Sequence, residues 1–367
     1  MSDDSQPESL DHGTYKPPFP YFGGKSRIAA LVWDRFGRID NYVEPFLGSA
    51  AMLMLRPAPI TGTETANDLD GFVSNFWRAL QADPDQVAEH ADYPVLECDL
   101  HARHAWLVER KKSMQAQLEG NSEWYDAKIA GWWVWGMACW IGGGFCSGEG
   151  PWHQVETADG WRLENGAEKG NGITRELPHL RHGRGVNRKL PHLHAGRSVN
   201  RPTTDLYEYL HRLAERMRRV RVCCGDWSRV CGPTPTIHQG LTAVFLDPPY
   251  ADTAGRYPDI YTVDSLKVAH DVREWAVANG ANPLLRIALC GYEGEHQMPD
   301  NWACVAWKAN GGYQSQRRSP GGRSVNSHRE RLWFSPHCLD PDKTAYPLFA
   351  NLNEPDDDDD IDDETPF

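Results

Sequence analysis

The chain has 367 residues, 40% of them hydrophobic and 15 of them Trp, which suits one large α/β domain carrying an insertion. No apolar run approaches the roughly 20 residues that span a bilayer, residues 1–8 lack a secretory pattern, and the nine Cys show no zinc-finger spacing; a cytoplasmic protein with free thiols, no membrane and no metal is expected. The net charge of −13 opposes phosphate binding, but nine carboxylates in residues 351–367 and four in residues 1–11 account for all of it, leaving an electrically balanced body between two solvated acidic tails.

Residues 25–36 have helical spacing, with Ile28, Leu31, Val32 and Phe36 on one stripe. A short strand over 41–43 stops at Glu44-Pro45, and a helix over 49–55 follows. A second strand over 61–66 ends at Asn67-Asp68, before a helix over 71–80. Further on, the apolar run 241–246 has strand length and stops at Asp247-Pro248-Pro249-Tyr250. A helix over 265–279 and strands over 284–290, 302–307 and 331–334 complete the pattern. This alternation predicts an α/β fold built on a doubly wound, mostly parallel, Rossmann-like sheet.

From residue 100 to 204 the strand pattern fades and aromatic residues, Gly and Arg take over. Residues 175–188 and 188–201 are nearly the same peptide in tandem, and a fragment, GRSVN, returns at 322–326. Two copies are too few for a solenoid. His179, His182, His192 and His194 lie here without matching Cys or carboxylate spacing, so no metal site is expected. The expected division is an acidic tail over 1–15, a sheet domain over 16–99 and 205–340 interrupted by an insertion over 100–204, and an acidic tail over 341–367.

The tetrapeptide Asp247-Pro248-Pro249-Tyr250, directly after a strand, suits chemistry at an aromatic amine. Such an amine attacks only if its lone pair is kept out of the ring, which acceptors for its two hydrogens achieve. The Asp247 carboxylate and the Pro248 carbonyl can be those acceptors, and Tyr250 offers a face on which an extruded base can stack. The stretch Gly23-Gly24-Lys25-Ser26 is not a phosphate loop, because Phe19 stands where that loop needs Gly. It leaves a glycine pair through which backbone and Lys25 can approach a ligand at a helix start. The loop from Glu44 through Phe46 and Gly48 lacks the three-glycine dinucleotide spacing. Asp68 ends the next strand, either as a ribose-binding carboxylate or as a cap for the helix at Gly71.

In order along the chain, PYFGGKSR, NYVEPFLGSA, NDLDGFVSNFWRAL and FLDPPY resemble the Dam-type, α-group, adenine-N6 DNA methyltransferases. The resemblance covers residues 18–80 and 220–250 and implies S-adenosyl-L-methionine as cofactor and double-stranded DNA as partner. It further implies a monomer in the cytoplasm of a prokaryotic or phage-infected cell, with a cognate restriction endonuclease as candidate partner. Tyr21, Lys25, Glu44, Phe46, Gly48, Asp68, Asp226 and Asp247 are then the cofactor-side residues, and Asp247, Pro248 and Tyr250 the catalytic ones. Departures are Ala50 where a glycine is frequent and Leu69-Asp70 where Ile-Asn is usual. The insertion would be the target-recognition region, with Arg181, Arg184, Arg188, Arg197 and Arg201 reaching DNA. Cytosine-N4 methylation is the alternative chemistry, although such enzymes usually carry Ser at the place of Asp247. A non-catalytic DNA-binding protein that keeps the fold is the other alternative, and the intact tetrapeptide with Lys25 argues against it.

Overall fold

Lys25 leads into one 3-10 turn, Ser26–Ile28, and then helix α1 (Ala29–Phe36), whose Ala29, Val32, Trp33 and Phe36 lie buried at helical spacing. The computed structural model describes residues 15, 17–19, 25–140, 145–146, 152–157, 160–165, 204–250, 267–307 and 329–340. Strand β1 (Asn41–Glu44) includes Glu44, one residue beyond expectation. The helix expected over 49–55 shortens to α2 (Ala51–Met54), because Ala50 takes a left-handed φ of 59° that no helix continues through. The same conformation accounts for the suitability of glycine there. Strand β2 (Thr63–Asp68) begins and ends two residues later than expected, and α3 (Gly71–Ala82) is capped by the Asp70 carboxylate, which accepts the Phe72 N–H.

Helices α4 (Pro84–Ala91), α5 (Glu97–Gly120) and α6 (Ala127–Cys139) follow, and the expected boundary at residue 100 falls inside α5. Leu107, Met114 and Leu118 of α5 and Trp133 and Trp135 of α6 share a core with Phe72, Phe76 and Trp77 of α3, so these helices are packed onto the sheet domain. An antiparallel hairpin, β3 (Trp152–Thr157) and β4 (Gly160–Asn165), is the further described structure before α7 (Thr204–Met217).

The remaining elements are β5 (Val220–Cys224), β6 (Thr242–Leu246), α8 (Val268–Asn279), β7 (Leu285–Tyr292), β8 (Ala303–Ala306) and β9 (Glu330–Phe334). Seven strands form one sheet in the order β5-β2-β1-β6-β7-β9-β8. Pairing is parallel from β5 to β7, and β9 runs antiparallel to both β7 and β8. Alternate strand residues point to opposite faces. Tyr42, Phe245, Ala288, Leu332 and Phe334 enter a core with α1, α3, α4, α6 and α7, whereas Val43, Val244, Leu246, Ile287 and Trp333 enter a second core with α8. The fold is therefore the doubly wound, mostly parallel α/β sheet read from the sequence.

Chain order reverses between β1, which leads outward to β2, and β6, which leads the other way to β7. In open α/β sheets ligands bind beyond the carboxyl ends of the strands at such a reversal. Glu44 and Asp247 stand at the ends of these two strands. Among the described residues no helix is long and apolar enough to cross a membrane.

Candidate active site

Strand alternation places the site on one face. Glu44 follows Tyr42, Asp247 follows Phe245, Cys290 follows Ala288, and Glu330 precedes Leu332, each two positions from a residue of the α1-side core. Leu246 pairs with Leu289, so Cys290 comes level with Asp247, while Tyr292 stands opposite Glu330. Four neighbouring strands thus carry a row of polar groups at one edge of an apolar face.

Lys25 reaches into this row from the segment before α1. Its Nζ lies 2.9 Å from Asp247 Oδ2 and donates to the Tyr250 hydroxyl at 3.3 Å. The Tyr250 hydroxyl in turn donates to Glu330 Oε2 at 2.6 Å. Burial alone would lower the Lys25 ammonium, but Asp247, Cys290 and Glu330 outweigh it and hold it above its ordinary value. Burial raises the Asp247 carboxyl, and the Lys25 ion pair and a hydrogen bond from the Cys290 thiol offset part of that rise. The Asp247 side chain is 19% exposed, so the carboxylate is both held and reachable. The Tyr292 ring meets Tyr250 edge-on with centroids 4.5 Å apart. Pro248, within the turn, is buried.

The neighbouring loops are tied by β2. Asn67 Nδ2 donates to the Pro45 carbonyl at 3.0 Å and to the Gly225 carbonyl at 2.9 Å, joining the loops after β1 and β5. Asp68 accepts the Gly48 N–H at 2.8 Å and the Asp70 N–H at 2.8 Å. Gly48 turns at φ 48°, which presents that N–H. The cap of α3 is Asp70, which leaves the carboxylate of Asp68 at the strand end. Burial, with the charge of Asp70, pushes the Asp68 carboxyl up to about 7 against its backbone hydrogen bonds. Leu69 beside it is exposed. Glu44 is buried and accepts from the Tyr42 hydroxyl at 2.9 Å, and burial raises its carboxyl well above the usual range.

Phe46 stacks on Trp227 with centroids 6.3 Å apart, and Asp226, exposed, caps the 3-10 turn Trp227–Val230 through the Ser228 N–H. The structure thus brings Lys25, Asp247 and Tyr250 into direct contact, an association the separate motifs did not state. It gathers Phe46, Gly48, Asp68 and Asp226 at the ends of β1, β2 and β5. Tyr21 lies outside the described residues, as do Arg181, Arg184, Arg188, Arg197 and Arg201. Glu330, Cys290, Tyr292 and Asn67 were not read from the sequence. The available signal was a charged residue, Glu330, in alternation with the apolar Leu332 and Phe334.

No curated protein matches the chain significantly. Residues 21–107, which take in Lys25, the loop after β1 and the end of β2, match the family of D12 class N6 adenine-specific DNA methyltransferases, the family that the motifs resemble.

Proposed function

We propose that the chain transfers the methyl group of S-adenosyl-L-methionine directly to N6 of a flipped-out adenine in double-stranded DNA. The observation that supports this most is Asp247 of the Asp-Pro-Pro-Tyr turn, at the chain-order reversal of the sheet, held by Lys25 and adjoining Tyr250. The cofactor fits the donor set at the strand ends. Asp68 offers carboxylate lone pairs to ribose hydroxyls, the exposed Leu69 and half-buried Phe46 offer apolar surface, and Asp226 offers an exposed acceptor. When bound, S-adenosylmethionine supplies an already activated methyl, so the protein's task is positioning and electrostatics.

Asp247 and the Pro248 carbonyl take the two N6 hydrogens and turn the amine lone pair toward the methyl. Lys25 keeps Asp247 ionised in a place where burial favours its neutral form, and a neutral carboxyl would accept less strongly. Tyr250 presents a ring face to the extruded base, whose unstacking costs about a few kcal/mol. Asp68 and Glu44 stand at the ends of β2 and β1 on the cofactor side. Residues 100–204 are proposed to select the target sequence, with the arginines of the tandem repeat as DNA contacts.

The test is a tritiated-methyl transfer assay on unmodified DNA beside calorimetric titration of the cofactor. Asp247→Asn keeps the side-chain size but replaces an acceptor oxygen by a donor. Its methyl transfer is expected to fall by about 10²-fold or more, in the range for loss of a polar group acting on the reacting atoms, with cofactor affinity within about threefold of wild type. Full activity in this variant would remove Asp247 from the mechanism.

A further inference from the structure

We infer that Glu330 is a positioning residue for Tyr250, fixing the ring on which the target base stacks. The inference rests on the methyltransferase reading above. Glu330 is 5% exposed and sits on the core side of β9, where its alternate neighbours Leu332 and Phe334 are apolar. A carboxylate in such a place is costly unless hydrogen-bonded. Its Oε2 accepts the Tyr250 hydroxyl at 2.6 Å, a length typical of a strong O–H to carboxylate bond.

Tyr250 needs such a partner. Residues 247–250 have left the sheet after Leu246, so no strand ladder holds the tyrosine backbone. Among the described residues its ring and hydroxyl meet Lys25 at 3.3 Å on the hydroxyl, Glu330 on the same hydroxyl, and Tyr292 against the ring edge. Lys25 is already engaged by Asp247 at 2.9 Å, which makes Glu330 the acceptor that fixes the phenol's direction. β9 is itself anchored at that position, because Glu330 pairs with Tyr292 in the ladder and its carbonyl accepts the Trp307 N–H at 3.2 Å. The last strand thereby carries the position of the sheet into the catalytic turn.

The experiment compares wild type, Glu330→Ala, Glu330→Gln, Tyr250→Phe and the Glu330→Ala/Tyr250→Phe pair as full chains, measuring kcat and KM on unmodified DNA and cofactor affinity by calorimetry. Glu330→Ala and Tyr250→Phe are each expected to lower kcat by about tenfold, and the pair by no more than the larger single effect, because both remove one interaction. Glu330→Gln retains an acceptor and is expected to recover kcat to within about threefold of wild type, with cofactor affinity unchanged within about twofold throughout. Multiplicative losses in the pair, wild-type kcat in Glu330→Ala, a Gln variant as impaired as Ala, or a parallel loss of cofactor affinity would each overturn the assignment. A wild-type chain that binds the cofactor and methylates no DNA would instead overturn the methyltransferase reading on which it rests.

Discussion

At Asp247 burial favours the neutral form and the Lys25 ion pair favours the anion, a conflict on which its proposed role as hydrogen-bond acceptor depends. Asp68 presents a similar conflict with a different outcome. Its carboxyl is pushed up to about 7 because burial and the charge of Asp70 outweigh the N–H donors of Gly48, Asp70 and Leu69. A carboxyl raised on folding binds more protons folded than unfolded, so its contribution to stability is present at low pH and is lost as pH rises through about 7. In the proposed role the ionised form is the one that accepts from the ribose hydroxyls. Cofactor affinity is therefore expected to rise by about tenfold between about pH 6 and about pH 8 through this group, and Asp68→Asn should abolish the rise. Calorimetric titration at several pH values checks this; an unchanged pH dependence in Asp68→Asn would separate Asp68 from the cofactor. Asp247, Lys25 and Asp68 were legible in the sequence because each belongs to a contiguous motif. Glu330 and Cys290 were not, since they meet Asp247 only through sheet register across long separations in the chain.

The elements were read best where the pattern is plain, as a continuous apolar run or a helical stripe, and less well where it is not. The apolar run of 241–246 and the stripe of 25–36 located β6 and α1, whereas α5 and α6 lay in a stretch read only as aromatic, Gly- and Arg-rich. Trp133, Trp135 and Leu107 show that this stretch is held by the main core. β5 also went unread, because its Arg221 is exposed and interrupts the apolar run. A buried charge cluster joins α7 to the beginning of β2. Glu64 on β2 accepts from Arg216 on α7 at 2.7 and 2.9 Å and from Arg56 at 3.0 Å, and Arg216 also donates to the Leu53 carbonyl at 2.7 Å. Glu64→Ala leaves two buried guanidinium groups without their carboxylate. A loss of about 3–5 kcal/mol in unfolding free energy is expected by urea titration, since removing one member strands the others' charge. A loss under about 1 kcal/mol would mean that water or other groups replace Glu64 at no great cost.

The two end segments account for the net negative charge of the molecule, and its tandem Arg repeat lies in the proposed recognition region. Replacing Arg181, Arg184, Arg188, Arg197 and Arg201 together by Ala is expected to weaken DNA binding and flatten its salt dependence, by roughly one unit of slope for each phosphate contact removed. Unchanged affinity, slope and methylation pattern would place recognition elsewhere. The match of residues 21–107 to the adenine-specific family supports the proposed chemistry, and the Asp247–Lys25–Tyr250 contact is consistent with it. The most direct measurement is sequencing, with detection of modified bases, of DNA from cells expressing either the wild-type chain or Asp247→Asn. N6-methyladenine at a defined sequence in the first and its absence in the second is the predicted result. N4-methylcytosine, or no modification attributable to the wild-type chain, would contradict the account.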